Sequence, residues 1–243
     1  TELNFLFSLP KDQDTATLSI PLPDPTVHGI RVTCKDLTFM PGGAATAPIF
    51  ERFSLEVTPG EKIGIYAGTT LAKTALARVL SGLEAPTSGV IRYNGVDLRH
   101  LSLDTVNRFR GFVLDSQLSL FEGTLEENIV LGRNYVPYSD VRWALRFTEL
   151  EEEIDALPQG LKTHVRAPGK VFAPTHIMRI LVARAILARP QLLIFDGILH
   201  NMQPALRETI LRRLCSKDEP WSVIFVSNDP NLTPHVDRRI ILD

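Results

Sequence analysis

Residues 64–80, GIYAGTTLAKTALARVL, put Lys73 and Thr74 where chemistry on a phosphate would need them. An apolar strand runs into a turn of small residues, and the Lys-Thr pair opens a helical run. A lysine there can neutralise phosphate charge, a neighbouring hydroxyl can hold Mg²⁺, and backbone N–H groups at the helix start can cradle an anion. The spacing that builds such a cradle is G-x-x-G-x-G-K-[ST]. Here it reads Ala67-Gly68-Thr69-Thr70-Leu71-Ala72-Lys73-Thr74, so Ala67, Thr70 and Ala72 fill all three glycine positions. Glycine serves there because an anion nest uses positive φ and close backbone approach. A nest around Thr70 and Leu71 must take another shape or carry strain of about 1–3 kcal/mol per residue. Gly68 to Thr74 is thus the candidate nucleotide segment, while Lys73 reads equally as a solvated lysine in a first helical turn.

The elements that would position this segment alternate between strand and helix. GIRVTCKDLTF (29–39) alternates apolar and polar residues as a half-buried strand does. IFERFSLEVTPGEKIGIYAG gives two strands about a Pro-Gly turn, and TALARVLSGL a helix closed by Gly82. APTSGVIRYNGVDL is a hairpin-like insert, and GFVLD a further strand. Residues 124–157 turn helical, with capping-box spacing at Thr124 and Glu127 and with Ser139 or Asp140 as the next cap. HIMRILVARAILAR is an apolar helix, QLLIFD a buried strand, QPALRETILRRLCSK an amphipathic helix, and SVIFVSN and RRIILD two last strands. The pattern predicts an α/β domain built on a mainly parallel sheet, with an antiparallel β portion and a helical block.

Composition narrows the function classes. The 243 residues are 44% hydrophobic and 22% charged, enough for a sizeable core. A formal net charge of −2 gives no sign of a nucleic-acid partner. Cys34 and Cys215 lie far apart without a CxxC or a histidine cluster, and read as small core residues in a reducing compartment. No apolar run approaches the ~20 residues of a membrane helix, and the start TELNFLFSLPKDQD lacks the layout of a signal peptide. Residues 1–29, rich in Pro, Asp and Thr, read as a linker or lead-in.

Five ordered stretches carry a resemblance: PGEKIGIYAG, SGLEAPTSGVIRYNGVDL, LSLFEGTLEENIVLG, LPQGLKTHV and VARAILARPQLLIFD. Together they resemble the ATP-binding domain of ABC transporters, exporter type, over residues 30–243, with a helical subdomain at about 117–188. The resemblance implies an ABC-type P-loop ATPase fold and Mg-ATP as the ligand, if any nucleotide binds. It implies the transmembrane domain of an exporter and a second nucleotide-binding domain, in a homo- or heterodimer, as partners. It also implies a place at the cytoplasmic face of a membrane, with residues 1–29 as the link to a membrane domain.

Set against that family, nearly every position that would touch ATP, water or the γ-phosphate is changed. Asp196, closing LLIFD, matches the Walker B aspartate and would share Mg²⁺ with Thr74. The glutamate that should follow, to polarise the attacking water, is Gly197. Ser116 falls at the usual loop glutamine, with Gln117 one residue away. Asn228 stands at the switch histidine, able to donate one hydrogen bond to a phosphate but without an imidazole. The signature L-S-G-G-Q is replaced by Phe172-Ala173-Pro174-Thr175-His176, with Thr175 as a candidate helix cap. His200-Asn201-Met202-Gln203 replaces S-A-L-D, Ala167 stands at a coupling acid, and Pro41 at the adenine-stacking tyrosine. Phe39 reads as core, and His176 and His200 as solvated or interfacial. No catalytic residue is assigned. The expectation is a degenerate domain in a structural or regulatory role. A slow ATPase and an ATP-binding switch without turnover are the alternatives.

Overall fold

A computed structural model of the chain describes residues 29–41, 47–115, 119–133, 135–165, 172–197, 199 and 202–242. The linker reading of residues 1–28 and the readings of Ser116, Gln117, Ala167, His200 and Asn201 lie outside them.

The centre is a five-stranded parallel sheet. Its order is β11 (Arg238–Leu242), β3 (Lys62–Ala67), β10 (Ser222–Val226), β9 (Leu192–Asp196) and β6 (Arg110–Leu114). All five residues of β9 and all five of β10 are buried, as their unbroken apolar runs require. The two-residue period of a strand divides their side chains between two cores. Leu193, Phe195, Val223 and Phe225 enter one, while Leu192, Ile194, Ile224 and Val226 enter the other. Each such burial is worth about 1.5–3 kcal/mol relative to exposure.

The second core is shared with an antiparallel sheet. It has the order β2 (Phe50–Val57), β1 (Val32–Phe39), β4 (Ser88–Tyr93) and β5 (Val96–Asp97). Phe39 stacks on Phe50 with ring centroids 6.0 Å apart and so belongs to the core, as read from sequence. Between the sheets lies α1 (Thr70–Leu80), which buries Leu76, Val79 and Leu80. Gly82, at φ +67°, ends it: the N–H of Gly82 donates to the Val79 carbonyl and that of Leu83 to the Arg78 carbonyl. This pair of bonds is the Schellman closure, which needs a left-handed residue just past the helix. A short helix that the apolar pattern did not single out, α2 (Leu103–Phe109), leads into β6. Ser102 caps it, its Oγ accepting from Thr105 N–H.

The first core holds the helices that follow β6: α3 (Leu125–Val130), α4 (Tyr138–Phe147), α5 (Glu151–Asp155) and α6 (Pro174–Ile186). The Thr124–Glu127 capping box is present at the start of α3. The helix α4 does not start on Ser139 or Asp140 as expected. Pro137 is its N-cap, with extended ψ 138° and its carbonyl accepting from Asp140 N–H, and the two polar residues sit in the first turn. The helical stretch read through residue 157 is broken at Glu149, φ +57°, where the Leu150 N–H returns to the Leu145 carbonyl. Two short strands, β7 (Gly123–Thr124) and β8 (His164–Val165), pair antiparallel beside α3. The last helix, α7 (Pro204–Leu214), packs Ile210, Leu211 and Leu214 into the same core. Cys34 is buried in β1 and Cys215 half-buried after α7, each as a free thiol that burial pushes up to about 12. Among the described residues, no helix is long and apolar enough to cross a membrane.

Candidate nucleotide site

The phosphate segment sits between the carboxyl end of β3 and α1. Sequence reading starts the helix at Thr74, but the structure starts it at Thr70, leaving only Gly68 and Thr69 between strand and helix. No residue from Ala67 to Thr74 has a left-handed φ. Thr69 is the N-cap, in extended backbone at φ −129° and ψ 154°. Its Oγ1 accepts from Ala72 N–H at 3.1 Å, and its carbonyl accepts from Lys73 N–H at 3.2 Å. Thr70, Leu71 and Ala72 therefore lie in helix, which their side chains tolerate, rather than in the nest that they resist.

A second pair of bonds closes the strand side. Asn228 follows β10, and its Oδ1 accepts from Ala67 N–H at 3.1 Å while its Nδ2 donates to the Ala67 carbonyl at 2.7 Å. Both ends of the amide are spent on the backbone of one residue. One of its two N–H donors is thereby used within the chain. The composition signal for Thr69 was available, since threonine just ahead of a helical run is a common cap. For Asn228 nothing local carried one, because its partner lies 161 residues away.

Thr74 and Asp196 do come together. Thr74 Oγ1 donates to Asp196 Oδ2 at 2.8 Å. Asp196 is 2% exposed, and burial pushes its carboxyl above the usual aspartate range. The Thr74 hydrogen bond and the Lys73 charge oppose that shift, and the neighbouring Asp115 adds to it. A hydroxyl beside a carboxylate is suitable chemistry for a hard divalent cation. Lys73 is half-buried and makes no ion pair among the described residues, while Leu71 is 63% exposed at the helix start.

The remaining positions confirm a divided site. Gly197 adopts φ +62°, a conformation that suits glycine and strains a residue with a Cβ, although open space surrounds that Cβ position. Nothing at 197 can take a proton. Of the signature positions, Pro174 is the first residue of α6 and Ala173 its N-cap, without a side-chain bond. Thr175 is inside the first turn and caps nothing, contrary to expectation, because Pro174 has already set the helix start. His176 is half-buried, its Nε2 pairing with Glu153 at 2.8 Å. The buried Arg179 donates to both Glu153 oxygens and to the Glu149 carbonyl. Pro41 is exposed, and Met202 is buried at 4%.

Mg-ATP therefore fits in one part and not in another. The pair Thr74–Asp196 has the donors for a cation. The cradle does not fit a phosphate, because the Ala67, Ala72 and Lys73 N–H groups already have partners within the chain. The N–H groups of Thr70 and Leu71 are among those that remain, as at any helix start.

The comparisons with known proteins agree with this framework. A sequence model of the family described as ABC transporter matches residues 50–199. The chain is 32% identical over 210 residues to the multidrug efflux ATP-binding/permease protein Rv0194 of Mycobacterium tuberculosis (strain ATCC 25618 / H37Rv), covering 83% of this chain and 17% of that protein. It is 32% identical over 154 residues to the colicin V secretion/processing ATP-binding protein CvaB of Escherichia coli, covering 62% of this chain and 22% of that one. The chain thus spans about a fifth of the length of these relatives. A solved structure of a bacterial Atm1-family ABC exporter with ATP bound has the same fold, with TM-score 0.80 and 23% identity over all of this chain and 42% of that one. Framework, sheet order and family match together establish that the chain belongs to the ABC transporter family, as its ATP-binding domain.

Proposed function

We propose that this domain serves an exporter-type ABC protein without hydrolysing ATP, in a structural or regulatory role. The observation that carries the reading is Gly197 directly after Asp196: the residue that should position water has no side chain and sits at φ +62°. Removing one preorganised group of this kind costs about 10²–10³ in rate, and here the cradle is altered as well. In this reading no side chain is catalytic. Gly68 to Thr74 mark where a nucleotide-binding segment stands in the fold, and Thr74 and Asp196 form a metal pair only if nucleotide binds.

The names of the relatives support an exporter setting, with a transmembrane domain and a second nucleotide-binding domain as partners at the cytoplasmic face of a membrane. Residues 1–29 then act as the link and residues 117–188 as the helical subdomain of a domain spanning 30–243. An open groove of about 790 Å³ beside α3 offers a place for a partner segment. Phe121 and Val130 give it apolar surface, and Glu122, Glu126, Glu127 and Lys162 line it with charges of both signs. A second reading, an ATP-binding switch without turnover, has one observation in its favour, the intact Thr74–Asp196 pair.

The test is phosphate release from millimolar Mg-ATP by the chain and by Gly197→Glu. Neither is expected to exceed the blank. The substitution is expected to cost about 1 kcal/mol of stability, through the positive φ, in urea denaturation. Turnover by either protein would refute the proposal.

A further inference from the structure

We infer that Thr69 and Asn228 form a latch that closes the phosphate segment on itself, so that nucleotide is excluded and not merely left unhydrolysed. The inference deepens the reading above at the same site. Loss of the glycines alone would leave a loop of poor shape but with its N–H groups open to solvent. Instead, each end of the segment is tied by a side chain. Thr69 Oγ1 takes the Ala72 N–H at 3.1 Å, which fixes the first turn of α1 four residues earlier than the sequence pattern alone places it. Asn228 takes both backbone groups of Ala67 at 3.1 and 2.7 Å, which prolongs the hydrogen bonding between β3 and the chain after β10 beyond the last strand pair, Val226 with Ile65. A bound phosphate would have to displace the Thr69 hydroxyl, unwind that turn, and pull Ala67 away from Asn228.

The two ties also reinforce one another, since Ala67 and Thr69 are separated only by Gly68. Asn228 fixes where the strand ends, and Thr69 fixes where the helix begins. Gly68 is exposed, with no atom near its Cβ position, so closure comes from these two hydrogen-bonded ends and not from side chains packed over the loop. Asn228 and Thr69 are positioning residues, acting through the backbone of Ala67 and Ala72.

Calorimetric titration of the full chain with Mg-ATP, up to millimolar ligand, tests the latch in three proteins. They are the wild type, T70G/A72G with glycines returned and the latch kept, and T69A/T70G/A72G/N228A with the latch removed as well. The wild type is expected to give no saturable heat, and the fourfold variant to bind at least about tenfold more tightly than T70G/A72G. Equal binding by the two variants, or binding by neither, would overturn the latch. So would wild-type binding, and phosphate release then separates the two ideas: binding without release leaves the non-hydrolysing reading standing, whereas release removes both. Amide hydrogen exchange in Thr69→Ala alone provides a check that needs no multiple variant. The Ala72 amide is expected to exchange at least about tenfold faster, with the core strands unchanged. An unaltered Ala72 rate would overturn the role given to Thr69.

Discussion

The starts of α1 and α6 are the two places where the family resemblance would put backbone N–H groups in front of a nucleotide, and the chain treats them differently. At α1 the preceding residue does the work: Thr69 turns its hydroxyl back onto Ala72 N–H. At α6 no side chain caps the helix. Pro174, which has no N–H to satisfy, forms the first turn, and the helix is held by what it packs against. His176 and Arg179 reach across to Glu153 and the Glu149 carbonyl of the α4–α5 corner. One helix start is closed locally and the other by tertiary ties within the same helical block. The ties differ in reach: Thr69 bonds a residue three positions on, whereas Arg179 bonds a carbonyl thirty positions back.

That contrast can be broken most strongly at Arg179. Replacing it by Ala strips α6 of one of its two ties to Glu153 and of its tie to the Glu149 carbonyl, and leaves a buried gap. The expected loss is about 2–3 kcal/mol in urea denaturation, moderated by the half-exposed position of Glu153. A loss no greater than that of an ordinary surface residue would mean that α6 is held by its apolar face alone. The local closure at α1 is worth less: Thr69→Ala should cost about 1 kcal/mol, the ordinary value of a cap. Thr69→Ser should restore it.

The smallest effect concerns the Thr74–Asp196 pair, which sharpens the contrast by asking whether anything at α1 still serves a cation. Burial holds the Asp196 pKa above its unfolded value. Its contribution is thus fully present below the unfolded aspartate pKa and is lost as pH rises through the raised folded pKa. Asp196→Asn, which keeps an oxygen for the Thr74 hydroxyl, should melt slightly higher than wild type at neutral pH. The difference should close as the solution is acidified below the range of unfolded aspartate. Stabilisation of the wild type by Mg²⁺ alone, absent in Asp196→Asn, would show instead that the pair holds a metal.

Much of the framework was legible in the residues. The apolar run LLIFD reads as a buried strand and SVIFV as a strand, and both are strands buried along their whole length. Thr124 with Glu127 announced a capping box that is present, and Gly82 announced a helix end that it makes. Local signals of this kind depend on neighbours a few residues apart, so a linear reading reaches them. The start of α1 and the break at Glu149 were missed for a different reason. Apolar spacing marks the buried face of a helix, not its first or last turn, and the turns were set by a cap at Thr69 and by a left-handed residue with a non-glycine side chain. At the site, the sequence identified which ligand-facing residue types had been exchanged. It could not identify what the exchanged residues now bond, because the Asn228–Ala67 and Thr74–Asp196 contacts span 161 and 122 residues.

The early start of α1 bears on how such a domain can change over generations. Returning glycine at Thr70 or at Ala72 alone weakens a helical turn by roughly 1 kcal/mol and opens nothing while Thr69 and Asn228 hold. Removing either of those alone sacrifices hydrogen bonds and still leaves a segment without the conformational freedom for a nest. Under the latch proposed above, each first step back toward a nucleotide site is expected to lower stability without a gain in binding, so that the exchange would work as a ratchet. A lineage that carries this segment is expected to keep the fold and to vary the old site freely, except at the two residues that hold it shut.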